Sequence, residues 1–150
     1  MANRAIGNNL SDILKRVELK LDGVRDAFLT EMAKDITDMS PVDTGDYVMS
    51  HSIGTQSIAG RFTGNIRSIG EGGQDVNLFR ETAYNGLVYQ IEAIPKEASH
   101  IFVGNSAPHA KIVEDGGANW RRDGYKIYTV ARNRASIYLA AAVAKVKGMT

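Results

Sequence analysis

Apolar side chains recur at Leu10, Leu14, Val17, Leu21, Val24, Phe28, Met32, Ile36 and Met39. Steps of three and four residues, sustained this long, predict one amphipathic helix, because they stack the apolar groups on a single stripe. Asn9 or Ser11 is placed to cap its start by accepting from amides that lack an intrahelical partner. Pro41 pushes Ser40 out of helical angles and stops it. Gly23 weakens the middle by about 1 kcal/mol, which a packed stripe outweighs; a bend there into two shorter helices is the competing reading. About 29 residues at ~1.5 Å each make a rod of roughly 43 Å. A compact chain of this length has a diameter of about 40 Å. The stripe is as long as the whole expected globule, so part of it is expected to pack on another subunit.

After the helix, Tyr47, Met49, His51 and Ile53 alternate with Val48, Ser50 and Ser52, a period of two that predicts a strand. AGRFTGNIRSIGEGGQ (59–74) has five glycines and little periodicity, and reads as a long mobile loop with a short strand around Phe62–Ile66. Val76, Phe79, Ala83, Leu87, Ile91 and Ile94 return to helical spacing, with Asp75 as cap and Pro95 as stop. SHIFVGN (99–105) is a strand of β-branched and aromatic residues ending at Gly104. In SAPHAKIVEDGG (106–117), Ser106 is placed to cap a two-turn helix, Pro108 falls in its first turn and Gly116 ends it. From Tyr125 to Lys147 the pattern is helical again. There Ala131, Ala135, Leu139, Ala142 and Val146 form a face of mostly small side chains that lets another helix approach closely. The sum is one α+β domain over 1–150. It has a long N-terminal helix, a small mixed or antiparallel sheet, further helices at about 76–94, 107–115 and 126–147, and a flexible loop at about 59–74.

With 43% hydrophobic and 23% charged residues, the chain has enough apolar side chains for a real core. Cysteine is absent, which excludes disulfides and thiolate metal sites. No apolar run approaches the roughly 20 residues needed to cross a bilayer. MANRAIGNNL lacks the apolar stretch of a secretory signal. A soluble chain made in a cytoplasm, with no membrane partner, is expected.

Among His51, His100 and His109, no pair has helical i, i+4 spacing and no HExxH occurs. His51 and His100 fall on predicted strands, where a half-buried, hydrogen-bonded imidazole is the ordinary reading. Asp22 with Asp26, and Glu114 with Asp115, read as solvated helix faces and ends. GEGGQ is not a phosphate loop, and no GxSxG elbow is present. No catalytic, cofactor-binding or metal residues are assigned, so a small hydrolase or nuclease has no positive support.

Net charge is only +1, but it is unevenly placed. Residues 11–39 carry five basic and seven acidic side chains, whereas 121–147 carry seven basic and one acidic. Complementary patches of this kind steer one subunit onto the next; a solvated basic helix accounts for the same residues. Arg121, Arg122, Lys126, Arg132 and Arg134 cluster beside Trp120, Tyr125 and Tyr128. Such cations neutralise phosphates and such rings stack on bases, yet no zinc-finger or RRM signature accompanies them. A surface toward acidic protein is the stronger reading, and nucleic-acid binding through 120–134 the alternative.

SPVDTGDY (40–47) is built for a rigid reversal. Pro41 fixes one φ, Asp43 or Thr44 bonds to nearby amides, and Gly45 tolerates positive φ. Together with the long helix, the Gly-rich loop and IFVGNSAPHAKIVEDGG (101–117), it resembles the neck or tail-completion proteins of long-tailed bacteriophages. This is the group related to minor tail protein Z of phage lambda. In that family a PVDTG turn is followed by a strand, and later by a segment resembling I-Y-V-x-N-x-x-P-Y-A-x-x-V-E-x-G. The matching positions here are Ile101, Phe102, Val103, Asn105, Pro108, His109, Ala110, Val113, Glu114 and, one place late, Gly116. The resemblance covers roughly residues 25–145. Asp46 stands where the family often has Arg, and His109 where it has Tyr.

The resemblance implies a virion structural protein at the head–tail neck, made in the host cytoplasm and needing no cofactor. It implies a ring of copies around the DNA channel, beside head-closure or connector proteins and tail-terminator or tail-tube proteins, with DNA passing through without sequence-specific binding. Motif residues are then Pro41, Asp43, Thr44, Gly45, Gly104, Asn105 and Pro108. Arg61, Arg67, Arg121, Arg122, Arg132 and Arg134 are candidate assembly or DNA contacts.

Overall fold

The computed structural model describes residues 2–42, 45–57, 76–117 and 123–148, with side chains from residue 21 onward. The elements in chain order are α1 (Ala2–Met39), α2 (Asp46–Met49), β1 (His51–Gly54), α3 (Val76–Glu92), β2 (Phe102–Asn105), α4 (Ala110–Asp115), α5 (Ile127–Asn133) and α6 (Ala135–Gly148). The fold is α+β. The predicted loop at 59–74, its strand at Phe62–Ile66 and the Asp75 cap lie outside the described residues.

α1 has 38 residues, about 57 Å at ~1.5 Å per residue, so it exceeds the predicted length. Asn9 and Ser11 lie inside it and are not its start. It runs unbroken through Gly23, which faces α6; a Cβ at Gly23 would lie 3.4 Å from Val146 Cγ2. A side-chain methyl there would make only ordinary contact, so the close approach does not depend on glycine. On the same side, Phe28 meets Tyr138 edge-on, with ring centroids 5.9 Å apart. Asp35 accepts from the Tyr138 hydroxyl at 2.6 Å and from Arg134 at 2.9 Å. Residues 134–138 thus lie beside residue 35 and residue 146 beside residue 23, so α6 is antiparallel to α1.

α3 also runs antiparallel to α1, on another side. Lys34 lies over the Tyr84 ring at 5.4 Å, and Arg25 donates to the Pro95 carbonyl at 3.0 Å. Phe79, Ala83, Leu87 and Ile91 are the buried stripe of α3. The helix ends at Glu92, two residues before the predicted limit, but Ile94 stays buried because its amide bonds back to Ile91 O. The main core joins Leu29, Ala33 and Ile36 of α1 to Leu87, Ile91 and Ile94, with Tyr47, Ile53, Val113, Ile127 and Tyr138 closing it. Each such large apolar side chain contributes about 1.5–3 kcal/mol by leaving water. A smaller cluster holds Val48, Phe79 and Ala83.

β1 and β2 pair antiparallel, with His51 opposite Asn105 and Ile53 opposite Val103. Gln90 Oε1 accepts from the Ile53 amide at 2.7 Å, filling one group of the β1 edge. The strand predicted over 47–53 begins only at His51. Tyr47 and Val48 are both buried, in different clusters. Alternation would send two successive residues to opposite faces of a sheet, whereas a helical turn places both against packed neighbours.

The predicted helix at 126–147 is two helices. The chain breaks at Arg134; Ile127 and Ala131 before the break and Tyr138 after it all enter the main core. The predicted helix at 107–115 starts late, at Ala110, with Pro108 in the turn before it. Ser106 does not cap it, because its hydroxyl is turned to the Ser50 carbonyl at 3.3 Å. His100 lies before β2, exposed, with Ser99 Oγ 2.9 Å from its Nδ1. No helix among the described residues is long and apolar enough to cross a membrane.

Candidate functional site

The two sequence motifs meet in space. At the end of α1, Thr37 and Ser40 bend their hydroxyls back onto carbonyls one turn earlier, Ser40 Oγ donating to Ile36 O at 2.5 Å. This competes with continued helix, and Pro41 completes the stop. Asp43 and Thr44 lie outside the described residues. Gly45 has φ +91°, and a Cβ on it would fall 2.6 Å from the Phe79 ring. It therefore needs to be glycine for two reasons: its left-handed backbone and the ring against it. Its carbonyl accepts from the Met49 amide at 3.0 Å and so opens α2.

Asn105 clamps the second motif onto the first. Its Nδ2 donates to the Tyr47 carbonyl at 2.6 Å, and its Oδ1 accepts from the Ala107 amide at 2.9 Å. One residue on, the Ser106 amide donates to the Ser50 carbonyl at 3.0 Å. Gly104 pairs with Ser52 in the sheet, Pro108 is exposed, and His109 packs its ring 6.1 Å from that of Tyr47.

Beneath the clamp lies a buried polar chain. His51 Nε2 is 2.7 Å from Ser40 Oγ, and its Nδ1 faces the Tyr128 hydroxyl at 2.5 Å and Asn105 Nδ2 at 3.2 Å. The Ser40 proton is committed to Ile36 O, so Nε2 must carry the ring proton and Nδ1 must accept. The imidazole is neutral. Burial pushes its pKa down to about 3. Burial first, then Tyr47 and Glu114, hold the Tyr128 hydroxyl well above its ordinary value, and burial with Glu114 does the same for Tyr47. Ser–His–Tyr in a line has the look of a nucleophile with its base. Here Ser40 is wholly buried and its proton already spoken for, so the chain fixes the end of α1 to β1 and α5. Arg80 adds a further tie to the Ser40 carbonyl at 2.8 Å.

Glu114 is not a solvated helix end. Its carboxylate accepts from the amides of Tyr128 and Thr129 at 3.0 and 2.9 Å and from the Thr129 hydroxyl at 2.8 Å. It thereby fills the empty first turn of α5 from another helix, where negative charge is favoured. Its backbone carbonyl accepts from Lys126, and a Cβ at Gly124 would collide with that carbonyl at 2.1 Å.

Of the predicted contact arginines, Arg61, Arg67, Arg121 and Arg122 lie outside the described residues. Arg132 and Arg134 are exposed at the α5–α6 break, and Arg134 is bound to Asp35. Lys126 faces Asp115 at 3.6 Å. Tyr128 is turned inward to His51 rather than outward for stacking. Sequence reasoning finds Asn105 through the motif and reads His51 as a hydrogen-bonded, half-buried imidazole, whose hydrogen bonds the structure shows, but misses Arg80 and Gln90 as partners. The available signal is their polarity within segments of otherwise apolar pattern. No group of three or more His, Asp or Glu that could hold a metal occurs among the described residues. No family model, curated protein or solved structure matches this chain.

Proposed function

We propose that this chain is a structural subunit of the head–tail neck of a long-tailed phage, forming a ring with its own copies around the DNA channel. The observation that carries this reading is the clamp. Residues 40–50 and 101–114, the two segments that resemble the phage family, are tied together by Asn105, by Ser106 on Ser50 and by the His51 chain. A motif pair that serves one rigid junction is what a scaffold protein requires, since ring contacts need surfaces held in fixed relation. The length of α1 and the 62% exposure of Leu21 agree with apolar surface being covered by another chain.

The reading predicts a defined oligomer when the chain is mixed with connector and tail-terminator proteins of the same phage. Native mass spectrometry and negative-stain imaging of such mixtures test it. A chain that stays monomeric in every mixture would end the proposal. Tight, salt-sensitive binding to free duplex DNA, lost on charge reversal at Arg121 and Arg122, would favour the nucleic-acid alternative.

A further inference from the structure

Two faces of the molecule are apolar at their centres and opposite in charge. The first is the outer side of α6. Tyr138 and Ala142 turn toward α1, leaving Leu139, Ala140, Val143 and Ala144 to line a shallow groove of about 500 Å³. Leu139 there is 49% exposed, and Ile137 beside it 63%. Residues 127–148 contain Arg132, Arg134, Lys145 and Lys147 and no Asp or Glu.

The second is the outer side of α3. Tyr89 is 75% exposed, between exposed Glu81 and Glu92, and borders a groove of about 300 Å³ shared with Gly54, Thr55 and Pro95. Arg80, the cation within α3, turns inward to Ser40, so the outer side keeps its carboxylates unopposed by that residue.

Contacts with α1 set these faces level with each other. Tyr84 lies beside residue 34 and Arg134 beside residue 35; Pro95 lies beside residue 25 and Val146 beside residue 23. Both helices run the same way along α1, which places Tyr89 level with Ala140 and Glu92 level with Val143, one helical turn from Lys147 of the groove lining. A second copy set with its α3 face against this α6 face therefore meets it in register.

We infer that the outer face of α6 in one copy docks along the outer face of α3 in the next, Tyr89 entering the α6 groove and Glu92 meeting Lys147 of the groove lining. Docking α6 on another α6 would instead oppose like charges. The contact joins unlike faces, so it repeats from copy to copy and closes into a ring where the rotation allows. This inference rests on the ring reading and specifies its interface.

The chain has no cysteine, so introduced thiols report cleanly. Ala93 and Ala144 are exposed and fall level with each other on the two faces. The full-length A93C/A144C double variant, treated with a short bis-maleimide linker, is expected to give a ladder of dimers, trimers and larger species. A mixture of the two single variants should stop at dimers, and raising salt should cut the yield several-fold. Efficient dimers from A144C alone would overturn the inference in favour of α6 on α6. Wild-type oligomers by mass with no ladder would overturn this interface but leave the ring. A chain that is monomeric at every concentration and with every neck partner, and gives no ladder, would remove both.

Discussion

His51 holds three neighbours through two ring nitrogens, and only the neutral ring fits them. Its folded pKa of about 3 lies below the ordinary 6.5 of an unfolded chain. Between those values the unfolded chain binds the proton and the folded one does not. Stability is thus fully present above pH 6.5 and falls as pH drops toward 3, by at most about 1.4 kcal/mol per unit from this group. Urea titrations between pH 7.5 and 4.5 should show that slope in the wild type and a flatter one in H51Q; identical slopes would contradict the assignment. The glycines make a second pair of contrasting cases. Gly45→Ala forces a side chain into positive φ and onto the Phe79 ring, and should cost about 2–4 kcal/mol. Gly86→Ala, in open space within α3, should stabilise by about 0.5–1 kcal/mol. Equilibrium unfolding of the two variants checks both signs. The need for glycine at 45 is legible in the sequence as turn chemistry. The ring that enforces it is not, since Phe79 lies 34 residues further on.

At the scale of elements, α5 depends on a residue that belongs to α4. Glu114→Ala leaves the Tyr128 and Thr129 amides without their carboxylate and should cost about 1–3 kcal/mol. Hydrogen exchange at those two amides should rise at least about tenfold, while that of Leu87 and Ile91 follows only the global change. Equal acceleration everywhere would mean the cap acts on the whole fold. α1 and α3 are legible in the sequence because their buried residues repeat every three or four positions, and a helix needs nothing further to declare itself. α2 is not. Residues 47–53 alternate well enough to pass for a strand, and only the two separate clusters that take Tyr47 and Val48 select the helical turn. The break at Arg134 is hidden as well. Residues 126–147 are helical throughout by pattern, and Ile127 and Tyr138 enter one core from either side of the break, so the pattern does not mark it.

At the scale of the molecule, α1 is the longest described element and carries exposed Leu21. Leu21→Lys should leave unfolding stability within about 0.5 kcal/mol, as for other exposed positions, but lower the mass of assemblies seen by native mass spectrometry. A variant that unfolds more readily instead would mean Leu21 is covered within its own molecule. The long helix, the α3 stripe, the helix stop before Pro41 and the segregation of charge are all fixed by the order of residues along the chain. They rest on backbone stereochemistry and on repeats short enough to be read locally. Which polar groups pair, which pair of segments the clamp joins, and which faces of α3 and α6 point outward are decided only in three dimensions. A buried hydrogen bond or a shared core position depends on residues tens of positions apart, and local pattern carries no record of that distance.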